Sequence, residues 1–427
     1  MPPQQNPAVE AAASSATADV TPTDAQLAAL MAQEEAPAEA EDEPFPVQVY
    51  GFADAGYRQL FVEKNNPWLL FLNRHPSMFV GNLNVYLDAK MGSKWRSLVE
   101  VRLTYLPQGA PDTSLQTEDV QRQQTRTPDY TDFSRSKTLG GIMIERAYIE
   151  YAAFSWLSFK AGQWLTPYGI WNVDHGSPVI IGVSRPFIIG GELMPEHQLG
   201  LLADGSVPLG DNWELSYMGA VSNGRMDRVP YEDMDNNKAI TGRAALTWRK
   251  YGQMTLGGTA YVGSFSDTIN QLVVQPNGAP TSREKIKSQY DETTYAVDYR
   301  WLYKGLHLQA EWIVNDRKYT SHGRPTGPDG GLIADRRNSG GYALLGYRTP
   351  WLTIMPYGKA EITPDPQMQA IGIHQKIALL TGGINVRPRP NVVLKAEYVY
   401  AFFPSARPNT FESNNIRGLD LQIAWQF

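Results

Sequence analysis

The sequence predicts an all-β protein: a transmembrane, antiparallel, up-and-down β-barrel of about sixteen strands, preceded by a disordered N-terminal tail. Three observations lead to this prediction. Apolar residues recur at every second position from residue 46 to the C-terminus, the links between the predicted strands alternate between short and long, and no run of eighteen apolar residues is present. A period of two indicates strands, and the missing apolar run excludes a transmembrane helix.

The composition agrees with membrane-spanning strands rather than with two or three soluble domains, which the length of 427 residues would otherwise suggest. Only 42% of the residues are hydrophobic, although 22 Tyr and 11 Trp are present. The mean hydropathy of -0.36 is compatible with a barrel, because lipid-facing residues alternate with lumen-facing ones. The absence of Cys excludes a disulfide framework, a Cys-ligated metal and a lipidated N-terminal Cys.

Charge divides the chain into two predicted regions. Residues 1–45 contain nine of the 44 acidic residues and no Lys or Arg; the remaining 35 acidic residues face 38 basic ones, so residues 46–427 carry +3. We expect 1–45 to be an acidic periplasmic tail, either a spacer or a docking or trimerising segment, and 46–427 to be the barrel. The start MPPQQNPAVE lacks the features of a signal peptide, so we expect a mature or trimmed chain.

The lengths of the links favour a barrel over a sandwich or a propeller. Seven short links, among them 153–154 and 303–304, alternate with eight long ones, among them 107–140 and 166–196. An outer-membrane barrel shows this alternation, with short periplasmic turns and long outer loops. The strands are predicted near 47–57, 79–90, 95–106, 141–152, 155–165, 197–206, 212–222, 238–250, 253–264, 290–302, 305–315, 341–348, 352–362, 374–386, 391–402 and 418–427.

A ring of sixteen strands is too wide for side chains to fill, so this fold predicts a water-filled channel. In hydrocarbon the backbone polar groups need internal partners, which a closed ring supplies. Aromatic residues near the strand ends are suited to the two interfacial girdles: Tyr50, Phe52, Tyr105, Tyr151, Trp213, Trp248, Tyr299, Trp301 and Trp351.

Several segments resemble known outer-membrane porins. The ending LDLQIAWQF, with the terminal Phe427, resembles the C-terminal strand that the barrel assembly machinery reads. Segments 147–169, 304–312 and 382–400 resemble the phosphate-selective porin O/P family and its broader porin relatives. This resemblance implies a barrel of sixteen strands, usually a homotrimer, whose third outer loop folds inward to narrow the lumen.

The third long link, 166–196, supports an inward fold independently. It contains the apolar runs 178–183 and 186–189, and a loop this apolar should not lie in water. Folding against the barrel wall is favoured over packing on a neighbouring protomer. The inward fold would bring five charged or titratable residues to the constriction: Asp174, His175, Arg185, Glu192 and His197.

The alternation also predicts which charged side chains line the lumen. The basic ones are Arg102, Arg146, Lys160, Arg243, Arg300, Lys359 and Lys395. They alternate with acidic residues such as Glu100 and Glu397, so each could either sort solutes or form a cross-strand ion pair that stiffens the wall. Because the charges nearly balance, we expect at most weak anion selectivity, and phosphate specificity is favoured even less.

The sequence favours a channel in the outer membrane of a Gram-negative bacterium, in contact with lipid and lipopolysaccharide, that passes small hydrophilic solutes or anions. An enzyme is not expected, because the adjacent residues of Asp174-His175-Gly176-Ser177 cannot easily align as a catalytic triad. We expect no cofactor, metal or nucleic-acid partner. The alternatives are a non-conducting barrel that anchors an envelope assembly through its tail, and a soluble β-rich binding protein.

Overall fold

A computed structural model describes most of the chain from residue 47 to residue 427. The described ranges are 47–62, 74–105, 139–173, 175–189, 193–225, 233, 236–275, 280–326, 330–350, 353–364, 376–404 and 415–427. The predicted tail 1–45 and the predicted site residues Asp174 and Glu192 lie outside these ranges.

The described residues form sixteen antiparallel strands in one closed ring, which confirms the predicted fold class. Each strand pairs with its neighbours in sequence, and β1 closes the ring on β16, with Phe52 opposite Gln426 and Phe61 opposite Arg417. The strands are β1 Val47–Phe61, β2 Ser77–Met91, β3 Trp95–Tyr105, β4 Leu139–Phe154, β5 Leu157–Leu165, β6 His197–Pro208, β7 Trp213–Ser222, β8 Ala239–Trp248, β9 Gln253–Val274, β10 Pro280–Tyr303, β11 Leu306–Tyr319, β12 Arg336–Tyr347, β13 Ile354–Pro364, β14 Lys376–Arg389, β15 Val392–Phe402 and β16 Ile416–Gln426.

The two faces of the barrel wall differ in polarity, as the period of two predicts. On β8, Ile240 is exposed on the outer face whereas its neighbour Thr241 is buried on the inner face. On β15, Leu394 is exposed on the outside and the flanking Lys395 is buried inside. An apolar outer band suits lipid, and a polar inner face suits a water-filled interior. Within the described ranges, no helix has the length and apolarity needed to traverse a bilayer.

Aromatic residues cluster where the links between strands are short, which we name the short-turn end. Trp213 of β7 stacks on Trp248 of β8, with ring centroids 5.6 Å apart. The rings of Trp95 on β3 and Tyr151 on β4 lie with their centroids 4.7 Å apart and their planes tilted by 41°. Phe52 does not belong to such a girdle: it is buried on the inner face, because its position on β1 shares the parity of the inward Asp54.

The largest departure from the predicted strands is the hairpin of β9 and β10. The sequence predicts a loop at 265–289, but β9 continues to Val274 and β10 begins at Pro280. Strands of about ten residues suffice to cross the apolar layer, so 22 and 24 residues reach well beyond it. Outside the bilayer both faces meet water, so the apolar alternation that marks the other strands is not needed there.

Candidate channel constriction

The link 166–196 between β5 and β6 contacts strands all around the ring. Ser177 donates to the Asp54 carboxylate of β1, and Arg146 of β4 donates to the carbonyl of Val173 at 3.5 Å. Further contacts reach β9, β10, β11, β13, β14 and β15. A segment that touches inward side chains on widely separated strands of a closed ring must lie inside that ring.

Polar side chains of the wall bind the backbone carbonyls of this link. The Lys395 ammonium donates to the carbonyls of Ser177 at 2.6 Å and Gly182 at 2.8 Å. Asn385 donates to Ile181 at 3.0 Å, and Arg387 donates to Pro178. Lys359 donates to the carbonyl of Ser184 at 3.1 Å in the same way. Backbone carbonyls of the irregular segment 177–184 therefore accept hydrogen bonds from side chains of the wall, in place of the backbone donors that a helix or a sheet would provide.

Carboxylates of the wall bind the amides of the same link. Glu397 accepts from the amide of Ser184 at 2.8 Å, and Glu361 accepts from that of Phe187 at 3.1 Å. Glu311, on β11, accepts from the amide of Trp171 at 2.9 Å. Hydrogen bonds to ionised groups are stronger than neutral ones, so these contacts fix the path of the segment across the lumen.

The apolar side chains of the link pack against the inner wall. Ile188, Ile189, Leu193 and Met194 are almost fully buried. They share a cluster with inward-facing aromatic and aliphatic residues of the wall: Tyr261, Ile313, Tyr342, Leu344 and Tyr357. The predicted apolar run 186–189 therefore packs against an apolar surface of the inner wall, which stabilises the segment by removing apolar area from water.

The two ends of the link are held together at the same place. The amide of Thr166 donates to the carbonyl of Glu196 at 2.7 Å, and the Asn172 amide group donates to both Thr166 and Glu196 carbonyls. Arg185 makes two hydrogen bonds to the Glu196 carboxylate, at 2.7 and 3.2 Å. His175, another predicted site residue, lies 3.2 Å from the carbonyl of Asn172 through its Nδ1 atom. The link therefore leaves and rejoins the wall at one point.

Six of the seven predicted lumenal cations fall into two groups. Lys359 and Lys395 lie under the link and are only 4% exposed, and Lys359 also lies 3.2 Å from the Glu361 carboxylate. Four others pair with acidic residues of the wall: Arg102 with Glu145 at 3.1 Å, Arg146 with Glu100 at 2.8 Å, Lys160 with Asp204 at 2.8 Å, and Arg243 with Asp298 at 2.6 Å. Arg300 of β10 is half-buried on the inner face near the short-turn end.

Some residues that hold the link or form the ion pairs are not among those predicted from the sequence. Asn385 and Asp54 follow the inward parity of their strands, so the alternation could have found them. Glu145 could not be found in this way, because a register shift between Glu100/Val101 and the facing Arg146/Ile144 lets adjacent residues face the lumen. A β-bulge of this kind breaks the period of two locally.

Solved structures with the same fold are outer-membrane proteins. The anion-selective porin from Comamonas acidovorans is 10% identical, covering 90% of this chain and 100% of its own, with a TM-score of 0.52. The outer-membrane channel DcaP of Acinetobacter baumannii is 12% identical over 90% and 97% of the two chains, with a TM-score of 0.50. OmpT of Vibrio cholerae is 9% identical over 91% and 99%, with a TM-score of 0.52.

At these identities the likeness shows the fold: the chain has the barrel architecture of the outer-membrane porins. No protein-family model matches the sequence, and no curated protein matches it either.

Proposed function

We propose that this protein is an outer-membrane porin through which small hydrophilic solutes diffuse passively, with the link 166–196 as its constriction and no catalytic role. The observation that carries the proposal is the hydrogen bonding of this link to inward side chains on widely separated strands of a closed ring. A segment held across a wide barrel narrows the path that water and solutes can take. The porin fold of the structural relatives supports the same proposal.

Weak anion preference is the finer part of the proposal. Five of the predicted lumenal cations face a carboxylate partner, and two, Lys359 and Lys395, bind the link, so little positive charge is presented by these six residues. The small excess of +3 in residues 46–427 favours anions over cations only slightly. The resemblance to the phosphate-selective porin O/P family is compatible with this proposal and carries no claim of phosphate specificity.

The proposal includes a location and an assembly route. The exposed apolar outer face would contact the lipid and lipopolysaccharide of a Gram-negative outer membrane. Phe427 would be read by the barrel assembly machinery; in the folded chain it pairs through its backbone with Gly51, at 2.9 and 3.0 Å. We further propose a homotrimer, and we assign residues 1–45 to the periplasm as a tail separate from the barrel 46–427.

Planar-bilayer recording tests this function. The purified full chain, added in detergent to a lipid bilayer in KCl, should produce discrete conductance steps that scale with salt concentration. A KCl gradient should give a small reversal potential of the sign expected for chloride preference. Protein unfolded in urea before addition is the control. Folded protein that inserts without conductance would contradict the channel, and a strong cation preference would contradict the anion preference alone.

A further inference from the structure

Two side chains of the link 166–196 project into the lumen. Among the residues of this link that the structure describes, 166–173, 175–189 and 193–196, only Arg185 and Phe187 are exposed. Phe187 is 42% exposed, and the side chain of Arg185 is 42% exposed as well. Because the link lies inside the ring, an exposed residue on it borders the lumen and not the lipid. Pro186 between them is buried, as expected when the two flanking side chains turn away from the wall.

Phe187 lies in a turn whose backbone is fixed. The amide of Ile189 donates to the carbonyl of Pro186 at 3.0 Å, and the amide of Phe187 donates to the Glu361 carboxylate of the wall at 3.1 Å. The two residues that follow Phe187 are buried, with Ile188 only 1% and Ile189 only 2% exposed. The turn therefore anchors its aliphatic side chains in the wall and presents one aromatic ring to the lumen.

Arg185 presents both signs of charge together with its partner Glu196. Its guanidinium makes two hydrogen bonds to the Glu196 carboxylate, which is itself 22% exposed. A guanidinium has more N–H donors, and a carboxylate more acceptor positions, than these two bonds use. The pair is thus a fixed dipole on the surface of the constriction that can accept one further group at each end.

The ring and the dipole lie within reach of one small molecule. Two residues of chain separate the Cα atoms of Arg185 and Phe187 by at most about 7 Å. Small-molecule sites commonly combine an apolar surface with a few polar groups that fix the orientation of the ligand. Arg185, Glu196 and Phe187 supply this combination at the place where the path is narrowed.

We propose that Arg185, Glu196 and Phe187 form a recognition site for small zwitterionic solutes that carry an apolar group, such as free amino acids with aromatic or aliphatic side chains. The solute carboxylate binds the guanidinium, the ammonium binds the Glu196 carboxylate, and the apolar group covers the exposed ring. A solute with a single charge is attracted by one member of the pair and repelled by the other. The proposal rests on the proposed channel, since only a water-filled lumen brings solutes to the link, and it names a solute class for that constriction.

Block of the KCl current by added solutes tests the site. Free phenylalanine, glycine, which lacks the apolar group, and phenylpropionate, which lacks the ammonium, are titrated separately against the wild type. Phenylalanine should block at a concentration about fivefold lower than glycine, because only the larger solute covers the ring. It should block at a concentration about threefold lower than phenylpropionate, because the exposed Glu196 carboxylate adds a partly screened attraction.

Three variants separate the parts of the site. Phe187→Ala should raise the blocking concentration of phenylalanine by about fivefold and leave that of glycine unchanged. Arg185→Gln/Glu196→Gln keeps the ring and removes both charges, so phenylalanine should lose its advantage over phenylpropionate. Phe61→Ala is the matched control, since Phe61 is 45% exposed on the outer face of β1, beside Tyr398. Circular dichroism checks that each variant is folded.

Each result bears on the site separately from the channel. Preferential block by phenylalanine that Phe187→Ala abolishes supports the site. Equal block by the three solutes in the wild type, stronger block by phenylpropionate than by phenylalanine, or the same change in Phe187→Ala and Phe61→Ala overturns the site and leaves the channel standing. If the wild type conducts no current, the channel fails by itself, and calorimetric titration of the same solutes into folded wild type and Phe187→Ala in detergent decides the site.

Discussion

The inner wall uses the same residue types differently on its two sides. On β13–β15, Lys359, Lys395, Glu361 and Glu397 bind the backbone of the link 166–196. On β2–β10, charged residues mainly bind one another, as Lys160 does with Asp204 and Arg243 with Asp298; Arg146 of β4 also donates to the carbonyl of Val173 in the link. The difference shows that the position of a residue in the alternation determines whether its charged side chain faces the lumen. Whether that side chain binds another side chain or the backbone of the link depends on whether irregular backbone lies within its reach. An apolar link has few polar side chains of its own, so side chains of the wall provide the hydrogen-bond partners for its backbone.

The largest effect is expected from removing the Lys395 ammonium. Lys395→Met keeps most of the side-chain volume but leaves the carbonyls of Ser177 and Gly182 without their donor. Losing hydrogen bonds to a buried charge costs about 3 kcal/mol in the free energy of unfolding. The link should detach in part, raising single-channel conductance and current noise.

Urea unfolding in lipid vesicles and single-channel recording measure both effects of Lys395→Met. Lys376→Met is the control, because Lys376 is exposed at the start of β14. If the two variants have the same stability and conductance, Lys395 does not hold the link, and the comparison between the two sides of the wall fails.

The fold could be predicted more completely than the use of its charges. Alternation and link lengths are local properties of the chain, so sixteen strands and the inward positions of Lys395 and Arg243 follow from the sequence. The partners do not follow, since Lys395 meets Ser177 across 218 residues and Arg243 meets Asp298 across 55. Glu145 was missed because a register shift on β4 suspends the alternation that identified its neighbours.

The close approach of the Gly182 backbone to the wall provides a second test of how the link is held. A Cβ atom on Gly182 would lie 2.4 Å from the Glu397 carboxylate, so Gly182→Ala forces the link or the buried Glu397 to move. Overpacking of this kind costs about 1–3 kcal/mol, and we expect higher conductance with a smaller loss of stability than in Lys395→Met. Gly382→Ala is the control, as nothing lies within 4 Å of its Cβ position. Unchanged conductance in Gly182→Ala would show that the link tolerates displacement at this point.

The ion-pair side of the wall should respond differently. Arg243 donates two hydrogen bonds to the Asp298 carboxylate, at 2.6 and 2.9 Å. Arg243→Gln leaves this buried carboxylate unmatched, so the reversal potential should shift toward cations, with a loss of about 2 kcal/mol in stability. The double variant Arg243→Gln/Asp298→Asn should restore the reversal potential. Conductance noise should stay at the wild-type level, because neither residue holds the link through the contacts described; a noisy channel would contradict the division between the two sides.

The smallest effect is expected at the exposed pair of the link itself. Arg185 is 42% exposed and binds Glu196, which is 22% exposed, so solvent screens their attraction. Arg185→Gln should cost about 0.5 kcal/mol and slightly increase current noise. In 1 M KCl the Debye length falls to about 3 Å, so the difference from the wild type should shrink there. The Lys395→Met phenotype should persist in the same salt, because its lost contacts are buried. If high salt abolished both differences alike, burial would not be what separates the wall anchors from the surface pair.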